Sequence, residues 1–123
     1  MSGGAYDYIQ CRLDEVVGRM VKEISLFGKT LTQQDYDRLD ESDKWWHEVG
    51  EPLGNITSEE ALKRFRECAE IVAKARIAIE RADYLVSGDD SDDSFVKRYD
   101  EEMDALGKSM ADGSFFNPEK YFD

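Results

Sequence analysis

The chain has 123 residues, a net charge of −12, and 41% hydrophobic against 36% charged residues. That length suits one compact domain and is short for two. The acidity speaks against sequence-independent nucleic-acid binding, which needs Lys and Arg to displace counterions, and no apolar run reaches the roughly 18–20 residues of a membrane-spanning helix.

Read in chain order, residues 1–123 form a single acidic helical domain. A first helix is expected over residues 6–27. Ile9, Leu13, Val16, Val17, Met20, Val21 and Ile24 recur at spacings of three and four, which makes an apolar stripe. Asp7 falls in its first turn and Gly28 offers a stop. A second helix is expected over 32–49, capped by Thr32 and broken near Asp40 or Ser42. Tyr36, Leu39, Trp46 and Val49 would share one face of it. Gly50, Pro52, Gly54 and Asn55 then form a loop.

The third helix, over 58–87, has a capping box in which Thr57 is the N-cap and Glu60 its partner. Its period runs from Leu62 to Val86 and stops at Gly88. A fourth helix is expected over 92–106, with Phe95, Val96, Tyr99, Met103 and Leu106 inward and Gly107 as its end. The tail, 108–123, has no helical period but carries Phe115, Phe116, Tyr121 and Phe122. Four aromatics so close together either fold back on the helices or dock on a partner. No segment alternates long enough to be a strand. The fold class is therefore all-α: an antiparallel helical bundle built on two long helices. Cys11 and Cys68 lie on or beside the apolar stripes and read as reduced core residues of a cytosolic protein.

The run Asp89–Asp93 raises the question of a metal. An EF-hand loop needs oxygens at positions 1, 3 and 5, Gly at 6 and Glu at 12. Starting at Asp90 puts Phe95 at position 6; starting at Asp89 puts Ser94 there and Asp100 at 12. Neither fits. A helix junction explains the run better. Asp89 and Asp90 turn the chain, Ser91 or Asp92 caps the next helix, and Asp93 sits in its first turn. Spare carboxylates then face water. From Asp89 to Asp104, eight acidic residues stand against Lys97 and Arg98, a net of −6. His47 is the only histidine and reads as a buried or stacked structural residue. No local triad spacing, zinc ligand set or Gly-rich phosphate motif occurs. Neither enzymatic activity, nor a cofactor, nor a metal is expected.

Ser2, Gly3 and Gly4 precede the first helix, where free amides suit an anion. The opening Ser2, Gly3, Gly4, Tyr6, Asp7, Tyr8, together with Tyr84, Leu85, Ser87, Gly88, Asp89, Asp90, Ser94, Phe95 and Arg98, resembles a family of small phage and prophage proteins. Its members begin Met-Ser-Gly-Gly-x-Phe/Tyr-Asp-Tyr and carry aromatic-Leu-x-Ser-Gly-Asp-Asp-x-x-x-Ser-Phe near the end. The two motifs cover about a quarter of the chain. Residues 31–55 and the aromatic tail have no counterpart, and the family has no established activity. The resemblance implies a phage setting and brings the N-terminus to the bend after the third helix. There Ser2, Gly3, Gly4, Tyr6, Tyr8, Tyr84, Ser87, Asp89 and Asp90 form either a ligand site or a structural clasp.

The expected function is a non-enzymatic interaction protein in the host cytoplasm. It docks on a host protein with a basic surface, such as a defence or nucleic-acid-processing component, and modulates or inhibits it. Asp92, Asp93, Asp100, Glu101, Asp104, Phe115, Phe116, Tyr121 and Phe122 are the docking candidates. No direct nucleic-acid or membrane contact is expected, and homo-oligomerisation stays open. The alternative is a small-molecule binder that sequesters a nucleotide signal with the glycines and nearby tyrosines.

Overall fold

The computed structural model describes residues 4–122. Among them there are helices and no β-strand, so the chain is all-α. Helix α1 spans Ile9–Ser25, α2 Gln33–Asp37, α3 Glu41–Lys44, α4 Glu59–Val86 and α5 Asp92–Asp112. Two short 3-10 turns, Ser114–Phe116 and Pro118–Lys120, follow.

The core is where α1, α4 and the tail meet. Val17, Val21 and Ile24 of α1 pack on Ala69 and Ala73 of α4, and Phe115 closes the cluster. The alanines matter because a small side chain lets two helices approach. Ala69 and Val21 are fully buried. Leu106 and Met110 bring α5 against the same cluster.

Local signals set several helix ends. Thr32 Oγ1 accepts the Asp35 N–H and starts α2. Ser91 Oγ accepts the Ser94 N–H and starts α5. Gly88 has φ +82. The Gly88 N–H reaches the Leu85 carbonyl, and the Asp89 N–H reaches that of Tyr84. This pair of bonds is a Schellman stop.

Four boundaries depart from the sequence reading. The cap of α4 is Ser58, whose Oγ accepts the Ala61 N–H at 3.1 Å; this hydroxyl, one residue after Thr57, is the one that reaches the exposed amide. Helix α5 does not stop before Gly107 but runs to Asp112, where Gly113 at φ +85 ends it. A helical glycine costs about 1 kcal/mol, and the packing of Met110 and Phe115 beyond it outweighs that. Helix α1 begins only at Ile9, because Asp7 and Tyr8 are left-handed, with φ of 56° and 55°. Asp7 is thus outside the helix rather than in its first turn. The second helix, read as broken near Asp40 or Ser42, is two short pieces of which the second ends at Lys44 rather than near Val49, and both lie within an excursion pinched at its base. Thr30 bridges Pro52, and the Leu31 N–H donates to the Glu51 carbonyl at 2.8 Å.

Several side chains also depart from expectation. Cys11 and Cys68 are free and exposed, not core. His47 is exposed, its Nδ1 2.6 Å from Glu51 Oε1. Trp45 and Trp46 are 86% and 82% exposed, so Trp46 does not face inward, and Val49 is exposed too. Helix α3 ends at Lys44, so all three lie past it and have no helix face to share.

Candidate functional site

The N-terminal turn closes on the last turn of α4 through Asp83. This carboxylate is fully buried. Its Oδ1 accepts the Ala5 N–H at 2.8 Å and the Ser87 hydroxyl at 3.0 Å. Its Oδ2 accepts the Gly4 N–H at 2.9 Å and the Gln10 amide Nε2 at 3.4 Å. Burial by itself pushes the Asp83 carboxyl up. The amides of Gly4 and Ala5, then Ser87 and Gln10, outweigh that and hold it below the usual carboxylate range. Asp83 is therefore ionised at neutral pH.

Gly4 is required here. Its φ is +107°, and a Cβ there would lie 3.0 Å from the Tyr8 hydroxyl. L-residues rarely adopt that conformation. Gly4→Ala is expected to destabilise the fold by about 1–3 kcal/mol, read as a lower urea midpoint with an unchanged m-value.

A second cluster adjoins the first. Asp90 has a buried side chain, with Oδ2 3.4 Å from Arg81 Nη1 and Oδ1 3.1 Å from Arg98 Nη1. Arg81 Nε lies 3.1 Å from Glu102 Oε2. Neither of those two atoms has an aligned hydrogen bond, so their attraction is one of charge alone. The Arg81 guanidinium also lies over the Tyr84 ring at 4.5 Å. Asp90 is thus no spare solvated carboxylate. It ties the bend to the end of α4 and the second turn of α5.

Of the proposed ligand or clasp residues, Ser2 and Gly3 lie outside the described residues. Gly4 and Ser87 bond Asp83. Tyr84 and Asp90 belong to the arginine cluster. Tyr6, Tyr8 and Asp89 are exposed beside them. Two residues that hold the site, Asp83 and Arg81, are absent from the sequence reading, as is Gln10. The Asp83 carboxylate has all its donors, while Gln10 Oε1 beside it is buried with no hydrogen-bond partner among the described residues. Asp83 occupies the position an anion would take at the Gly4 and Ala5 amides.

The docking candidates divide. Asp92, Asp93, Asp100, Glu101 and Asp104 are exposed. Spacings of seven and four put Asp93, Asp100 and Asp104 on one outer row of α5; Asp92 and Glu101 flank it. Asp104 pairs with Lys108 at 3.0 Å. Phe115 is a core residue, 2% exposed, and presents no docking surface. Phe116 is half-buried under the Arg66 guanidinium. The half-buried Tyr121 donates its hydroxyl to the Phe115 carbonyl. Phe122 alone of the four aromatics is exposed.

The chain matches no protein-family model, no curated protein and no solved structure. Among the described residues no group of metal-ligating side chains is assembled, and no helix is long and apolar enough to cross a membrane.

Proposed function

We propose that the chain is a non-enzymatic phage or prophage protein that docks on a basic surface of a host protein and modulates or inhibits it. Host-defence and nucleic-acid-processing proteins are the class that fits, because a surface built for phosphates also suits carboxylates. The observation that carries this reading is the tryptophan pair. Two adjacent indoles, each more than four-fifths exposed, sit on an excursion with seven acidic residues against Arg38 and Lys44 over residues 30–52. Exposed Trp is what interface hot spots are made of. The outer row of α5 adds a second acidic surface that steers encounter. The end motifs support the phage setting by resemblance.

The same reading takes α1 and α4 as an antiparallel hairpin at the centre of a helical bundle. Gly4 and Ala5 on Asp83 at one end support it, as does the Asn55 N–H on Glu23 Oε2 at the other. Nucleotide sequestration by the N-terminal amides ranks behind, since Asp83 already accepts the hydrogen bonds of the Gly4 and Ala5 N–H groups.

Trp45→Ala combined with Trp46→Ala should leave stability within about 0.5 kcal/mol, as for other surface changes. It should weaken capture of the host protein on order 30-fold or more. Charge reversal at Asp100, Glu101 and Asp104 should slow association and flatten its salt dependence. Capture that survives both sets of changes removes both surfaces from the account.

A further inference from the structure

Helix α4 carries two apolar rows. Ala69, Ala73 and Ile77 are buried. Cys68, Val72, Ala75, Ile79, Ala82 and Val86 form the second row; Cys68 and Val86 are exposed and the others half-buried, Val72 at the edge of the core cluster. Val86 is 64% exposed. Helix α1 repeats the arrangement. Val17, Val21 and Ile24 are its buried row, and Ile9, Leu13, Val16 and Met20 lie beside it, with Ile9 43% and Val16 42% exposed. Both second rows keep alternating steps of four and three, the spacing of a helix-pairing seam.

The two seams lie on one side. Gly4 and Ala5 meet Asp83, Asp14 pairs with Arg76 at 3.1 Å, and Glu23 meets Asn55. With the start of α1 at the end of α4, each seam is rotated from its buried row toward the same side of the pair. The tail and α5 take the other side, where Tyr121 packs on Gly18 and Arg81 reaches Glu102. Among the described residues, α5 and the two 3-10 turns are the elements packed most extensively on α1 and α4.

We propose that the two seams form a dimer interface, on which a second copy of the chain places the same face to give an isologous four-helix contact. The spacing matches another helix pair of the same kind. Cys68, Ala75 and Ala82 alternate with larger residues and let the helices approach. The charges beside the seams are Arg12, Arg19 and Arg64 with Glu23, while the carboxylate rows lie on α5 and the 30–52 excursion. Two copies thus meet here without opposing their acidic surfaces. From Cys68 to Val86 the seam is about 27 Å long, and two helices are about 20 Å wide. A pair then buries on the order of 1,000 Å², enough for a specific but dissociable dimer.

Sedimentation at about 100 μM, well above a dissociation constant on order 10 μM, should give twice the 14.1 kDa chain mass. Val16→Glu with Val86→Glu changes two exposed positions and should give a folded monomer, its fold checked by circular dichroism. Thiol labelling reads the same face within one molecule. Cys68 should react more slowly as concentration rises from about 1 to about 100 μM. Cys11, one heptad before Gly18 and so on the side of α1 away from the seam, is exposed and should keep its rate. A monomeric wild type overturns the proposal. So does a dimer indifferent to the two glutamates, or equal protection of both thiols. Salt separates this contact from host docking: screening the net charge favours the dimer and weakens an acidic docking face.

Discussion

Asp83→Ala is expected to lower the melting temperature by on order 10 °C and to release the N-terminal turn. Four donors converge on this carboxylate, from Gly4, Ala5, Gln10 and Ser87. Alanine leaves all four without their acceptor. Asp83→Asn should be nearly as damaging, since an amide nitrogen would face two of the donors with its own protons. The pH dependence has a definite sign. The folded-state pKa is held below that of the unfolded chain, so the contribution is complete above the unfolded value of about 3.9. It is lost as pH falls from there through the folded value. Wild type and Asp83→Ala should therefore differ most at neutral pH and converge in acid. A difference that stays constant down to the acid limit would mean that the carboxylate does not act through its charge. The amide resonances of Gly4 and Ala5 give a local readout of the same event.

Why this residue escaped the sequence reading is physical. One carboxylate late in a long helix looks like part of a solvated face. The usable signal was its position: Asp83 falls four helical turns after Ala69, on the buried line. A charge on a core line implies donors waiting for it. Asp90 was hidden differently. Within the run Asp89–Asp93 nothing local says which carboxylate turns inward; that depends on how Gly88 directs the chain toward Arg81 and Arg98. By contrast Thr32, Gly88 and Ser91 were readable, because caps and Schellman stops are decided within a few residues. The left-handed turn at Asp7 and Tyr8 was not, because the Gly4 and Ala5 amides just before it are held by Asp83 in the last turn of α4, remote in sequence. The tryptophans were half-readable. Adjacent residues on a helix point about 100° apart, so Trp45 and Trp46 could not both have been inside a short one.

Phe115→Ala is expected to destabilise the chain by about 3–5 kcal/mol, the usual result of truncating a buried phenylalanine. The ring is 2% exposed, among Val17, Val21, Ala69 and Ala73. It also meets Phe116 edge-on at 4.8 Å and Tyr121 at 6.3 Å, contacts that add to the loss. Against a total of about 5–15 kcal/mol for a small domain, that is the largest effect of any single side chain considered. Denaturant unfolding measures it; a loss below about 1 kcal/mol would mean the tail is not part of the core. The consequence reaches function. An aromatic tail that peeled away to grip a partner would expose the same cluster and forfeit the same free energy. Binding by the tail is therefore disfavoured by a factor on order 100 or more relative to a surface already exposed. Trp45, Trp46 and the outer row of α5 need no such rearrangement. A Phe122→Ala variant separates the two routes: its exposed ring can be removed without opening the core, and host capture should then persist.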